Sequence, residues 1–397
     1  MRKGASDLPV ACLVGGCLCG VNAARRGQGE DTPAGGESGR RQLHGRRAAV
    51  GSAALLIEST SHGLYCEAGD FFIDPWAPVD RAVITHAHAD HARAGSEAYL
   101  TAEPGMGLLR ERLGAAANLQ GQPYEQPMDL NGVEVTFFPA GHILGSAQIR
   151  VEFAGEVWVV SGDYKLATDP TCAAFVPVPC DVFLTEATFA NPVFQWRRPP
   201  VIFGQIDEWW LRNQAAGRTS VLLADGLGMT QRLLAGLDAE MGPLFAQGAA
   251  RRFLSAYAAA GVELSVPVPA AADVVRAAQG RGLILAPPAM AEDAAWLGSL
   301  GPVSTALVSG GMQVLGVRRR QRNIERGFVF SNHADWNGLM TAIQASEARH
   351  VLVTHGQVEE LVRWLRRQGF AADGIATKYA GEMGSEATDQ EAPVAGG

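Results

Sequence analysis

Thr85-His86-Ala87-His88-Ala89-Asp90-His91 decides how the rest of this sequence is read. Three histidines and one aspartate fall within residues 86–91. Imidazole nitrogen and carboxylate oxygen are donors that suit Zn²⁺. The run is entered from an apolar segment, Ala82-Val83-Ile84, with Pro75, Pro78 and Asp80 upstream. That pattern predicts a buried strand ending in a loop. Side chains at i and i+2 of an extended chain point the same way, so His86 and His88 can grip one ion. Asp90 and His91 lie further round the turn and can face a second. A polar loop without a function would give no packing reason for four ligand-type residues at this density.

The same device recurs along the chain. Val133–Phe138 alternates apolar and polar residues, then leads through Pro139-Ala140-Gly141 to His142. Val157–Val160 ends at Ser161-Gly162-Asp163, and Asp181–Leu184 ends at Thr185-Glu186. Val329-Phe330-Ser331-Asn332 leads to His333, and Val351–Thr354 to His355. Each apolar run is expected to be a strand carrying a polar tip. Six of the nine histidines belong to the set. Strands of one packed sheet deliver their ends to one rim, so the tips are expected to meet. Two Zn²⁺ ions sharing a carboxylate would bring the pKa of a water near neutrality and take up charge on a phosphoryl or carbonyl oxygen. A leaving oxygen still needs a proton, which a histidine outside the ligand set can give when a carboxylate orients it. His333 with Glu186 fits that role.

The 397 residues suffice for two domains or for one domain with an insertion. An apolar content of 47% with 19% charged residues fits a globular chain. The net charge of −8 argues against wholesale electrostatic binding of nucleic acid, though not against a local basic groove. The cysteines form no Cys-x-x-Cys pair, a reducing-compartment pattern that predicts a cytoplasmic protein. No apolar run approaches the roughly 18–20 residues of a membrane span.

Residues 1–53 are rich in Gly, Ala and Arg and lack periodicity. They are expected to be a disordered or atypical N-terminal extension, with a short lipoprotein-type signal as the competing reading. Structure is expected from about residue 54, with strands at Leu55–Ile57, Gly63–Cys66 and Phe71–Asp74. A helix is expected at Met106–Leu113. From about 191 to 328 strand and helix signals alternate, which predicts a parallel α/β unit. After 329 polar-tipped strands return, followed by a helix with Val358, Leu361, Val362 and Leu365 on one face. Residues 381–397 read as a disordered acidic tail.

These residues carry a family resemblance. The run at 86–91, His142 in Ala-Gly-His-Ile-Leu-Gly-Ser-Ala and Asp163 in Ser-Gly-Asp-Tyr resemble the metallo-β-lactamase fold. Thr185-Glu186-Ala187-Thr188-Phe189, Phe330-Ser331-Asn332-His333-Ala334-Asp335 and Val353-Thr354-His355-Gly356 resemble motifs A, B and C of the β-CASP nucleases. The resemblance spans roughly 54–380. It implies an α/β protein: an αββα metallo-β-lactamase sandwich (54–190 and 329–380) with an inserted β-CASP α/β domain at 191–328. It implies two Zn²⁺, with Mn²⁺ a possible substitute. His86, His88 and His142 would hold one ion, Asp90, His91 and His355 the other, and Asp163 would bridge. His333 would be the general acid, positioned by Glu186.

A narrower similarity is to bacterial ligase-associated DNA damage response exonucleases. It rests on Gly69–Trp76, Val83–Arg93, Val157–Lys165 and His333–Trp336. It implies a DNA exonuclease in repair, working with an ATP-dependent DNA ligase and a DEXH-box helicase. Related sequences resemble mRNA 3′-end processing nucleases, which would make RNA the substrate. Met229 stands where such chains carry Lys or Arg, and Gly311 where a larger residue is usual; both bear on substrate grip. Arg318, Arg319 and Arg320, with Arg322 and Arg326, form the strongest basic cluster and could contact phosphates, as could Lys165. Trp196, Trp209 and Trp210 are candidates for base stacking or, alternatively, for the core. A small-ester or lactam metallo-hydrolase is a rival reading, against which the long insertion speaks. A non-catalytic scaffold is another, against which the complete ligand set speaks.

Overall fold

A computed structural model describes residues 55–316 and 323–379. The expectations for residues 1–53, for 381–397 and for Arg318, Arg319, Arg320 and Arg322 lie outside those residues. Three sheets organise the described chain. In the first, Glu58–Ser59, Leu64–Cys66 and Phe71–Ile73 pair antiparallel; Arg81–Ile84, Ala98–Ala102 and Leu119–Gln122 then add in parallel. The second has seven strands. Its antiparallel half runs Met128–Leu130, Val133–Pro139, Ala147–Phe153, Glu156–Val160. Its parallel half continues with Val182–Ala187, His350–Gly356 and Ala371–Gly374.

The alternation seen in the sequence explains how these sheets meet. Val133, Val135 and Phe137 point to one face, with Leu64, Phe71, Ile73 and Val83 opposite from the first sheet. Trp158 is fully buried between them. On the other face of the second sheet, Leu339 and Ile343 of helix Trp336–Ala345 and Leu361, Val362 and Leu365 of helix Val358–Arg367 cover Val159, Phe183, Val351 and Val353. Helix Met106–Leu113 covers the outer face of the first sheet through Leu108 and Leu109. The result is an αββα sandwich.

The third sheet is entirely parallel. Its order is Val268–Pro269, Leu244–Ala246, Leu283–Ala286, Thr219–Leu223, Val303–Val308, Arg326–Phe328. Its central strands are buried on both faces, so they read as unbroken apolar runs. Helices Pro199–Ala215 and Met229–Gly236 cover one face, and Ala272–Ala277 with Ala294–Ser299 lie toward the other. Leu227, Phe253 and Tyr257 of this layer pack with Ile143 and Leu144 of the sandwich.

Two expected strands are placed differently. Leu55–Ile57 is irregular, and the first strand is Glu58–Ser59. Leu56 and Ile57 are buried without joining a ladder. The polar-tipped strand expected at 329–333 is also irregular; the strand is Arg326–Phe328, at the edge of the third sheet. Backbone carbonyls at 331–333 serve side chains instead of a ladder: Ser331 O takes Arg232, Asn332 O takes His142 and His333 O takes Trp196. An apolar-then-polar run is the same in sequence whichever partner its carbonyls find.

Candidate metal centre

The tips do converge. His86 and His88 follow strand Arg81–Ile84, His142 follows Val133–Pro139, and Asp163 follows Glu156–Val160. Glu186 and His355 sit inside Val182–Ala187 and His350–Gly356, where the parallel register slips. Thr185 faces Val353 but Ala187 faces Gly356, so two residues oppose one. Such a bulge re-aims side chains, and here it turns Glu186 and His355 to the rim. Glycine opens the space at two tips. A side chain at Gly141 (φ +75°) would meet Lys165 O at 2.3 Å, and one at Gly162 (φ +55°) would meet Thr85 Cβ at 2.7 Å.

His86 Nε2 and His142 Nε2 each lie 3.1 Å from His88 Nδ1. Asp163 Oδ2 is 3.5 Å from His86 Nε2 and 3.8 Å from His142 Nε2. Ligand atoms about 2.0–2.1 Å from a tetrahedral ion stand about 3.3 Å apart, so the four fit one ion. The second nitrogens fix the tautomers. His142 Nδ1–H donates to Asn332 O at 2.9 Å, and His88 Nε2–H to Leu227 O at 3.2 Å. The Thr85 hydroxyl donates to Asp74 Oδ2 at 2.5 Å and therefore accepts from His86 Nδ1–H at 3.0 Å. Each of the three converging nitrogens then presents a lone pair. Lone pairs at that spacing repel unless a cation lies between them. Burial, with neighbouring histidines, holds His86 and His142 well below the ordinary imidazole value, which keeps those lone pairs available.

A second group adjoins the first. His91 Nε2 is 3.7 Å from both Asp90 Oδ2 and Asp163 Oδ2, and His355 Nε2 is 3.0 Å from Asp163 Oδ1. Despite these distances, buried His91 Nε2, Asp163 Oδ1 and His355 Nε2 have no aligned hydrogen-bond partner. Orphaned buried donors and acceptors are costly, and a shared ion would satisfy all three. Burial opposes a charge on His91, but Asp90, Asp163 and Asp74 outweigh it and raise the imidazole, the same surplus of negative charge that a divalent ion would neutralise in place of the proton. Burial likewise opposes a charge on Asp163, yet His91, His333 and His355 hold its carboxyl well below the usual range. Asp163 thus faces both groups. The buried donor set fits divalent ions.

His333 stands at the edge of this cluster. Its Nδ1 is 2.8 Å from Glu186 Oε2, and its Nε2 is 4.0 Å from Asp163 Oδ2. Glu186 is itself held by the Tyr164 amide at 2.9 Å on Oε1 and by the Thr188 hydroxyl on Oε2. The pair is buried, and Phe189 and Trp196 pack edge to face behind it.

Asp74 did not stand out in sequence. It ends strand Phe71–Ile73 at φ +42°, unusual for a residue other than glycine. Its carboxylate takes the Thr85 amide at 2.7 Å and His91 Nδ1 at 2.7 Å, so it orients ligands on both sides. Only its place at a strand end before Pro75 hinted at this. Tyr379 was also missed; its ring stacks on His91 at 4.4 Å. Lys165 faces inward: its Nζ is 2.7 Å from Asp169 Oδ2, which Arg232 Nε approaches at 3.0 Å. Trp209 and Trp210 are buried in the third sheet's core, and Trp196 Nε1 donates to His333 O at 2.9 Å. Gly311 lies in the turn Gly310–Gln313, its amide on the Ser309 hydroxyl.

A sandwich whose rim gathers these donors, with a parallel α/β layer inserted before the last strands, is the metallo-β-lactamase-type architecture of the β-CASP proteins. Its relatives agree. A probable DNA ligase from Opitutus terrae is 27% identical over 82% of this chain, which spans 31% of that protein. An endoribonuclease YSH1 from Candida glabrata is 36% identical over 19% of the chain and 10% of its own length. The cleavage and polyadenylation specificity factor subunit 3 of Dictyostelium discoideum is 37% identical over the same shares. The chain therefore spans about a third of the first curated relative and about a tenth of the others. A crystal structure of a protein of unknown function from Enterococcus faecalis superposes with a TM-score of 0.51 at 12% identity. It covers 75% of this chain and 79% of its own, and supports the fold alone. No protein-family model matches the sequence. No helix among the described residues is long and apolar enough to cross a membrane.

Proposed function

We propose that this protein is a metal-dependent phosphodiesterase acting on nucleic acid. The observation that carries the reading is the His333–Glu186 pair, set against the ligand cluster yet closed on its far side by a carboxylate. His86, His88, His142 and Asp163 would hold one divalent ion, and Asp90, His91, His355 and Asp163 a second; zinc suits these donors, and manganese is an alternative. Ions held there would supply Lewis acidity toward a phosphoryl oxygen and bring the pKa of water near neutrality.

The chain supplies the remaining steps. Glu186 holds the Nδ1–H of His333, so Nε2 carries the mobile proton of the imidazolium. That proton passes to the leaving oxygen as the phosphorus–oxygen bond breaks. Asp74, Thr85 and the carbonyls of Leu227 and Asn332 keep the ligand rings in one orientation. Leu227, Phe253 and Tyr257 of the inserted layer pack against Ile143 and Leu144, next to His142.

The match covering 82% of the chain is to a protein named as a DNA ligase, which favours DNA as substrate and an exonuclease role beside an ATP-dependent ligase and a helicase. The shorter matches at higher identity are to endoribonucleases, which favours RNA as the second reading. Metal-loaded protein and its His333→Ala variant, given DNA and RNA labelled at either end, decide between them. Cleavage of DNA from one end, lost in the variant, is expected. Intact DNA with shortened RNA selects the second reading, and cleavage of neither polymer overturns both.

A further inference from the structure

A cavity of about 790 Å³ lies beside helix Pro199–Ala215, at the edge strand Arg326–Phe328 of the third sheet. Four arginines line it, Arg197, Arg212, Arg218 and Arg326, against one carboxylate, Glu325. Glu325 is already engaged: Arg218 takes Oε1, and the Ser304 hydroxyl donates to Oε2 at 2.8 Å. Arg212 reaches Glu208 at 3.4 Å in an exposed pair, which is worth little in water. Arg197 and Arg326 make no ion pair among the described residues. On a chain of net charge −8, this groove reverses the local sign.

The groove also has a direction. Ile202, Gln205, Trp209 and Arg212 of its helix share the wall. At 1.5 Å per residue, the helix runs roughly 20 Å from Pro199, two residues after Arg197, to Arg212. The Arg197 end lies next to the segment that backs the dyad, because its neighbour Trp196 donates its indole N–H to His333 O at 2.9 Å. Gln313, also in the wall, donates to Val193 O at 3.3 Å on the same segment. Trp209 offers no stacking platform: it is buried, and its Nε1 donates to Ser304 Oγ at 3.1 Å. Positive charge without an exposed aromatic face recognises backbone phosphates and not bases.

We propose that this groove holds the sugar–phosphate backbone of one nucleic-acid strand outside the catalytic centre, leading it along the inserted layer to the His333–Glu186 pair. The inference rests on the phosphodiesterase reading above. Binding there is independent of base sequence and sensitive to salt.

The test measures binding of fluorescent single strands of about 4 to about 15 nucleotides by the full chain in a His333→Ala background, across a salt series. Three further pairs of substitutions are compared in that background. Arg197→Gln with Arg326→Gln removes two groove charges. Arg197→Lys with Arg326→Lys keeps the charge and guards against a folding loss. Arg363→Gln with Arg367→Gln removes two exposed charges from helix Val358–Arg367, on the far side of the second sheet. The groove Gln pair is expected to bind the longest strand about tenfold more weakly, and its salt slope to fall by about 1.4, or about 0.7 per lost phosphate contact. The Lys pair and the distant pair should keep the parental affinity and slope. Equal losses in both Gln pairs, or none in either, overturn the groove while the parent's cleavage of polymer leaves the phosphodiesterase reading standing. Failure of the active parent to bind or cleave any strand overturns that reading itself, before any groove variant is consulted.

Discussion

Two buried clusters of charge lie side by side in this protein, and they differ in one respect. In the Lys165–Asp169–Arg232 network every group is closed. Asp169 receives Lys165, Arg232 and the Thr171 amide and hydroxyl. Arg232 also donates to Ser331 O at 2.7 Å and to Asn332 Oδ1 at 3.1 Å, and stacks over Phe330. In the histidine–aspartate cluster, buried atoms of His91, Asp163 and His355 are left without partners while pointing at one another. The first cluster is satisfied within the protein: its two cations share one carboxylate, and none of its buried side-chain atoms is left without a partner. The second becomes complete only with something added. Both are buried and charged, so the remaining valence is what marks a site.

The sharpest way to break this comparison is at His333, which stands between the two kinds of environment. His333→Ala is expected to lower the cleavage rate about 10²–10⁴-fold, the usual worth of a general acid. Its divalent metal content, by elemental analysis, should stay at the parental level. Loss of an ion with the imidazole would move His333 into the ligand set. Next in size is the closed network. Asp169→Ala leaves Lys165 and Arg232 facing each other without an acid, and should destabilise the fold by about 3–5 kcal/mol in denaturant titration. The loss should be the same with and without a chelator. A chelator-dependent loss would mean that the network belongs to the metal centre after all.

Asp74→Asn probes the open cluster from behind. It keeps the shape but loses the charge that holds His91 Nδ1–H, and should weaken divalent-ion affinity about 10–100-fold in competition with a chromogenic chelator. Unaltered affinity would show that Thr85 and Tyr379 suffice to hold the rings. Trp196→Phe, the mildest change, removes the indole donor from His333 O. About 1 kcal/mol of stability should go with it, read as a lowered denaturant midpoint. A larger loss would make the Trp196 contact a support of the dyad's position.

Much of the open cluster was legible in the chain because ligand chemistry restricts residue type. His86, His88, His142, Asp163 and His355 each follow or end an apolar run, and the sheet brings those ends together. The sandwich was legible for a related reason: alternation such as Val133–Phe138 has one solution on a two-faced sheet. Other supports left no such trace. Leu227 and Asn332 act through backbone carbonyls, which every residue has, so nothing in their side chains signals the role. Asp74 looks like any aspartate before a proline until its positive φ is seen. Lys165 looked available for phosphate because it follows Asp163 by two residues, whereas the fold turns it onto Asp169, four residues on, and brings Arg232 to the same carboxylate. The strand expected at 329–333 failed on the same ground, since carbonyl partners chosen in three dimensions displaced the ladder.

One bond described above joins the inserted layer directly to the ligand set: His88 Nε2 to Leu227 O at 3.2 Å. It has a thermodynamic corollary. With His88 as a ligand, as proposed, ion affinity and seating of the Leu227 loop would be coupled, and coupling between two equilibria is reciprocal. If the proposed ion is held there, whatever seats the loop on His88 in a way that favours the ion would be favoured by the ion by the same factor. Under the proposed function, grip on substrate and grip on metal would be tied through a single carbonyl oxygen.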